Sequence, residues 1–120
     1  MERLEILKSL TINTNELVDL SYQPGVTGVT LYVIDEDATL QVRSFAPAQG
    51  VIEDPVCGSG NACVAVHLKA TNQQQRVGQT YTAYQGEALG RDGQVRVRFK
   101  GDDVFIGGMA VTVINGEISV

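Results

Sequence analysis

The stretch Ala62-Cys63-Val64-Ala65-Val66-His67-Leu68-Lys69-Ala70 limits the fold more than any other segment of the chain. It has no polar face for its first turn and a half. A helix apolar all round must be enclosed by protein or by lipid. Lipid is excluded by length, because no apolar run approaches the roughly 20 residues that span a bilayer. Other elements of a small domain must therefore wrap this helix, with Cys63 as one of its core residues. At 120 residues the chain supports one domain, residues 1–120, and not comfortably two.

The remaining segments supply what could do the wrapping. Glu2 to Leu10 carries Leu4, Leu7 and Ile6, Leu10 at helical spacing. A second short helix runs through Leu17, Val18 and Leu20, with Thr14 or Asn15 as its cap and Pro24-Gly25 after it. Val29, Leu31 and Val33 alternate with Thr30 and Tyr32, the acidic turn Asp35-Glu36-Asp37 follows, and Leu40 and Val42 return, which is a hairpin. Pro47 to Pro55 reads as a loop. Strands are expected at Thr80–Gln85, Gln94–Lys100, Val104–Ile106 and Ala110–Ile114, separated by Gly90-Arg91-Asp92-Gly93, Gly101-Asp102-Asp103 and Asn115-Gly116. Arg96, Arg98 and Lys100 share the solvated face of one strand. Gly107-Gly108 marks a bulge or a close backbone approach. The expected fold is α+β: two short N-terminal helices, then a curled, mainly antiparallel, barrel-like sheet around one buried helix.

Composition narrows the function classes. With 43% hydrophobic and 19% charged residues the chain has the apolar content of a packed globular protein. A net charge of −5 with no dense Lys/Arg cluster speaks against nucleic acid or an anionic membrane surface as partner. The start Met1-Glu2-Arg3-Leu4-Glu5 lacks the basic and apolar regions of a secretory signal, so the expected location is cytoplasmic. Cys57 and Cys63 cannot build a disulfide framework. With His67 they form C-x5-C-x3-H, which lacks the C-x2-C pairs of structural zinc sites and an obvious fourth ligand, so no metal is expected.

One loop concentrates polar groups: Glu53-Asp54-Pro55-Val56-Cys57-Gly58-Ser59-Gly60-Asn61. Gly58 and Gly60 allow turns in which successive N–H groups point into one concavity. A helix starting near Ser59 adds its unpaired N–H groups and dipole to the same spot. A substrate carboxylate fits there, as does the enolate charge that grows when a proton leaves an α-carbon. Cys57 beside this field, or a carboxylate such as Asp54, is a group able to move that proton. Asp54, Cys57 and Ser59 are thus the candidate catalytic residues, and Glu53, Gly58, Gly60 and Asn61 the candidate substrate-binding ones. The same residues admit plainer roles: Asp54 or Ser59 can cap the helix, and Cys57 can be an inert small residue. His67 falls near the helix end, where histidine often meets the last carbonyls.

Arg43-Ser44-Phe45-Ala46-Pro47, then Glu53-Asp54-Pro55-Val56 and Gly58-Ser59, resemble the second lobe of the phenazine biosynthesis PhzF-like isomerase family. Gln85-Gly86 with Leu89-Gly90-Arg91 falls where that family carries a similar stretch, and the likeness runs from about Leu4 to the C-terminus. The resemblance implies a diaminopimelate epimerase-like fold: two lobes, each a barrel-like sheet around a central helix, with the active site between them and no cofactor. It matches Asp54, Gly58 and Ser59 to residues lining that cleft, with Asp54 handling or orienting a proton. The family's principal acid/base glutamate lies on a first lobe to which nothing in this sequence corresponds. Relatives usually have threonine where Cys57 stands and alanine where Gly60 stands. Cys57-Gly58-Ser59-Gly60 is instead similar to the C-G-[ST]-G loop of epimerases and proline racemases, whose cysteine is one of two opposed acid/base groups. Both carboxylate-led isomerisation and thiol-led epimerisation are therefore written in this chain.

The reading that follows is an isomerase-type lobe handling proton transfer at a carbon of a small carboxylate-bearing molecule. Its missing wall would come from a second copy in a homodimer, or from a separately encoded first lobe, which the domain start at Met1 suits. A silent small-anion-binding domain is the alternative outside enzyme chemistry.

Overall fold

The computed structural model describes residues 2–120. The expected α+β architecture is present: three α-helices and a six-stranded mixed sheet that does not close. Helix α1 (Glu2–Ser9) and helix α2 (Thr14–Ser21) precede the sheet. The cap of α2 is Asn13 and not Thr14 or Asn15: its side chain accepts from the Glu16 N–H at 3.4 Å and donates to the Glu16 carboxylate at 2.9 Å. Asparagine one residue earlier answers both the helix N–H and the acidic side chain three positions on, a reciprocal arrangement that neither alternative offers.

Strands β1 (Val29–Ile34) and β2 (Leu40–Ala46) form the expected hairpin, with Val29 opposite Phe45 and Ile34 opposite Leu40. The segment read as a loop before Pro55 holds more structure. A 3-10 turn at Pro47–Gln49 leads into β3 (Val51–Asp54), which pairs antiparallel with the end of β2 through a register shift between Ser44 and Ala46. Two prolines hid a strand that lies between them, where no proline N–H is needed. Helix α3 (Gly58–Ala70) then crosses over to β4 (Thr80–Gln85), which pairs parallel with β2, the one parallel contact in the sheet. Strands β5 (Gly93–Lys100) and β6 (Asp103–Gly107) complete the order β1-β2-β4-β5-β6.

The alternation in β5 is realised throughout. Val95, Val97 and Phe99 point inward, and Arg96, Arg98 and Lys100 point to solvent. The core lies between the sheet and α3: Leu40 and Val42 from β2, Val64, Ala65 and Leu68 from α3, Tyr81 and Ala83 from β4, with the three β5 residues. The α1 end is tied to the sheet by Arg43, whose guanidinium donates to the Leu7 and Leu10 carbonyls at 2.9 and 2.8 Å. The same group makes a two-pronged pair with Glu53, at 2.9 Å on both carboxylate oxygens. That hydrogen bonding raises the Arg43 pKa above its usual value.

Two expectations need correction. Helix α3 is not enclosed on all sides, and Cys63 is exposed rather than in the core. The buried side of α3 is Gly60, Asn61, Val64, Ala65 and Leu68, while Ser59, Cys63, Val66, His67 and Ala70 form an exposed stripe. The cause is a strand that does not pair. Residues 110–114, read as a strand, have no secondary structure and are exposed, and the sheet edges β1 and β6 flank α3 without meeting over it.

Candidate active site

Glycine, cysteine and serine at the entry to α3 decide how this helix begins. Its N-cap is Cys57, neither Asp54 nor Ser59. The Cys57 sulfur accepts from the Gly60 N–H at 3.3 Å, and Sγ lies 3.5 Å from the Ser59 hydroxyl. Asp54 instead turns its Oδ1 to the Val56 N–H at 3.0 Å, closing the bend before the helix. The Asn61 N–H reaches the Cys57 carbonyl at 3.1 Å, which leaves the Gly58 and Ser59 N–H groups without a carbonyl partner among the described residues. Sulfur, hydroxyl and free N–H groups therefore meet at the positive end of one helix.

A cleft of about 480 Å³ runs from this point between β1 and the exposed side of α3. That volume suits a small molecule. Asp54, Cys57, Ser59 and Gly60 line one end, and Tyr32 and His67, edge-on to each other at 5.9 Å between ring centres, line the other. Burial raises the Tyr32 pKa, against a smaller lowering by Arg76. Cys63 also faces the cleft, yet no three His, Cys, Asp or Glu side chains among the described residues stand together as a metal site.

The other residues singled out in the sequence are placed elsewhere. Gly58 borders a neighbouring hollow with Val56 and Ile106. Asn61 is fully buried behind the loop, its amide donating to the Cys57 carbonyl at 2.8 Å. Glu53 is held by Arg43 and does not line the cleft.

Three residues of the site escaped the sequence reading. Gln85, 3% exposed, clasps the loop from beneath. Its carbonyl accepts from the Cys57 N–H at 3.2 Å and the Asn61 amide at 2.9 Å, and its own amide donates to the Asp54 carbonyl at 2.7 Å. A polar side chain in the inward phase of Tyr81-Thr82-Ala83-Tyr84-Gln85 was the available signal. Thr30 and Ser44 sit opposite each other across β1 and β2, with hydroxyls 3.0 Å apart, and only the pairing register reveals them. They converge on Gly60. A methyl group there would stand 2.7 Å from the Thr30 hydroxyl, 2.8 Å from that of Ser44 and 3.1 Å from the Cys57 sulfur. Gly86, at φ +92°, brings its backbone under Pro55, where a side-chain carbon would lie 2.8 Å from the Pro55 carbonyl.

The family described as phenazine biosynthesis-like protein matches residues 1–116. The chain belongs to that family. Among its relatives, an uncharacterized isomerase of Clostridium acetobutylicum is 33% identical over 98% of this chain and 42% of that protein. An uncharacterized isomerase of Schizosaccharomyces pombe is 30% identical over 93% of this chain and 65% of its own length. The uncharacterized isomerase YddE of Escherichia coli K12 is 30% identical over 95% and 41%. The chain thus spans between about two-fifths and two-thirds of these relatives. Within this phenazine biosynthesis-like chain, the cleft lies between α3 and the β1–β2 hairpin, with residues 25–28 along its rim. No helix among the described residues is long and apolar enough to cross a membrane.

Proposed function

We propose that the chain is an isomerase-type lobe that moves a proton at a carbon of a small carboxylate-bearing substrate. Its open cleft would be completed by a second copy in a homodimer. The observation that carries this reading is the Cys57 sulfur, held at the head of α3 by the Gly60 N–H and facing the cleft beside Ser59. The sulfur stands at the positive end of α3 beside the cleft, within reach of a substrate's α-carbon as an acid/base group. As a thiolate it takes the proton on the substrate's α-carbon. The C–H electron pair passes into the adjoining carboxyl group as an enolate, and the free Ser59 N–H at the head of α3 meets the growing charge. Return of a proton to the opposite face, from the same loop of the second copy, inverts the centre. Asp54 orients the substrate from the cleft's rim. The names of the relatives, uncharacterized isomerases, agree with this reaction class.

Exchange of α-protons for deuterium in heavy water, followed by NMR over a panel of amino and hydroxy acids, tests it. Wild type is expected to exchange at least one acid, and Cys57→Ser to lose about 100-fold or more of that rate, the scale of a lost acid/base group. Equal rates in the two proteins would refute the thiol chemistry. A second reading, in which a first lobe on a separate chain supplies the missing wall, is favoured by the greater length of the relatives. Exchange that appears only on adding such a lobe would select it.

A further inference from the structure

Beyond β6, residues 108–120 form an arm with no secondary structure. It carries Met109, Val111, Val113, Ile114, Ile118 and Val120, each at least 85% exposed. The arm projects: the radius of gyration is 15.8 Å and the longest extent 53 Å, whereas a compact chain of this length has a radius of about 14 Å. Valine, threonine and isoleucine in succession are strand formers, and apolar side chains this exposed need a covering surface.

That surface has a counterpart on the same chain. β6 is a terminal strand of the sheet, so its outer edge offers unpaired N–H and C=O groups. It runs along α3, fastened at both ends. The Ile106 methyl lies 3.9 Å from where a side chain on Gly58 would begin, and Lys69 donates to the Gly101 carbonyl at 3.0 Å. A strand added outside β6 therefore continues the sheet past the Gly58–Lys69 side of α3. Gly108 still runs beside β5, its side-chain position 3.7 Å from the Gln94 carbonyl, so the arm leaves in line with β6.

We propose that two copies of this chain pair antiparallel along residues 103–113, about a two-fold axis at Gly108, each arm extending the partner's sheet beside β6. Such pairing is self-complementary, as a two-fold interface requires. In this register Val111 faces Phe105, so Met109, Val111 and Val113 cover the face where Phe105 packs on Arg98. Ala110 and Thr112, on the alternate face, are small enough to lie against α3. The glycines at 107 and 108 let the two backbones approach at the axis. Gly107, Gly108 and Met109 share a hollow with Val56 and Gly58, so the partner stands beside the Cys57 loop. The pairing thus rests on the two-copy cleft proposed above and names its contact.

Light scattering on the full chain tests it. Wild type is expected at twice 12.9 kDa, and the Val111→Asp/Val113→Asp double variant at 12.9 kDa with its helical circular dichroism signal kept and the strand signal of the paired arms lost, since the arm contributes nothing to the core. Mild oxidation should cross-link Gly108→Cys into a covalent dimer where wild type does not. A dimer indifferent to the double variant overturns the arm pairing and leaves the thiol chemistry standing. Failure of Gly108→Cys to cross-link overturns the register. A monomeric wild type whose arm engages a separately supplied lobe overturns the second-copy assignment. An arm-dependent dimer in which Cys57→Ser exchanges as wild type upholds the pairing and refutes only the chemistry.

Discussion

Replacing Gln85 with leucine removes the clasp under the catalytic loop while nearly preserving side-chain volume. Three hydrogen bonds disappear. The Asn61 amide keeps its bond to the Cys57 carbonyl through one N–H, so three groups lose a partner: its other N–H, the Cys57 N–H and the Asp54 carbonyl. Each unsatisfied buried group costs about 1–3 kcal/mol, and burying an apolar side chain in place of an amide offsets roughly 1–2 kcal/mol. The expected net loss is about 1 kcal/mol or more, out of the roughly 5–15 kcal/mol that holds a domain together. At about 4 °C per kcal/mol for a chain of this size, Tm should fall by about 4 °C or more. Gln85→Glu sharpens the test. A carboxylate can still accept from Cys57 and Asn61, but it meets the Asp54 carbonyl with no proton to offer, and only its neutral form can donate. The introduced carboxyl should therefore have a folded-state pKa above the ordinary value of about 4.3. Relative to wild type, this variant should be little destabilised below about pH 4 and increasingly so as pH rises through the raised pKa. Thermal unfolding from pH 4 to 8 reads both effects. A Gln85→Leu loss under about 3 °C, or a Gln85→Glu deficit that does not grow with pH, would refute the clasp.

Gly60→Ala gains about 1 kcal/mol of helix propensity but overpacks the two hydroxyls, at about 1–3 kcal/mol, so it should destabilise by up to about 2 kcal/mol. In a Thr30→Ala/Ser44→Ala background the same change should become neutral or stabilising, a coupling that urea unfolding of the four proteins measures. Tyr81 is buried with an unpartnered hydroxyl, and burial pushes its pKa far above the usual phenol value. Its stability contribution is whole below about pH 10 and is lost as pH rises beyond the unfolded-state value towards the folded one. Tyr81→Phe should therefore be neutral or stabilising by about 1 kcal/mol at pH 7, and should flatten the alkaline decline in Tm.

What the sequence disclosed were the elements with strict local periods. β5 was legible because every second residue is either Val/Phe or Arg/Lys, and the β1–β2 hairpin because its acidic turn separates two alternating runs. The loop at the head of α3 was legible because glycine, proline and titratable groups crowd there. Misread features depended on distant partners. β3 exists because β2 has an edge to offer, and the all-round apolar pattern of α3 required a cover that six strands do not supply. The site's support was hidden for the same reason. Thr30 and Ser44 are fourteen residues apart and meet only through register, and Gln85 meets Cys57 from 28 residues further along the chain.

The parallel pairing of β2 with β4 sets the order in which the domain can be assembled. Leu40–Val42 meets Ala83–Gln85 only after β3 and α3 have been laid down between them, so this long-range closure is entropically late compared with the antiparallel pairs of consecutive strands. Gln85 is both the last rung of that ladder, opposite Val42, and the clasp of the Cys57 loop. Closing the sheet and setting the loop are therefore one event. A folding intermediate that holds these antiparallel pairs but lacks this rung would possess the thiol and the helix without the geometry that joins them.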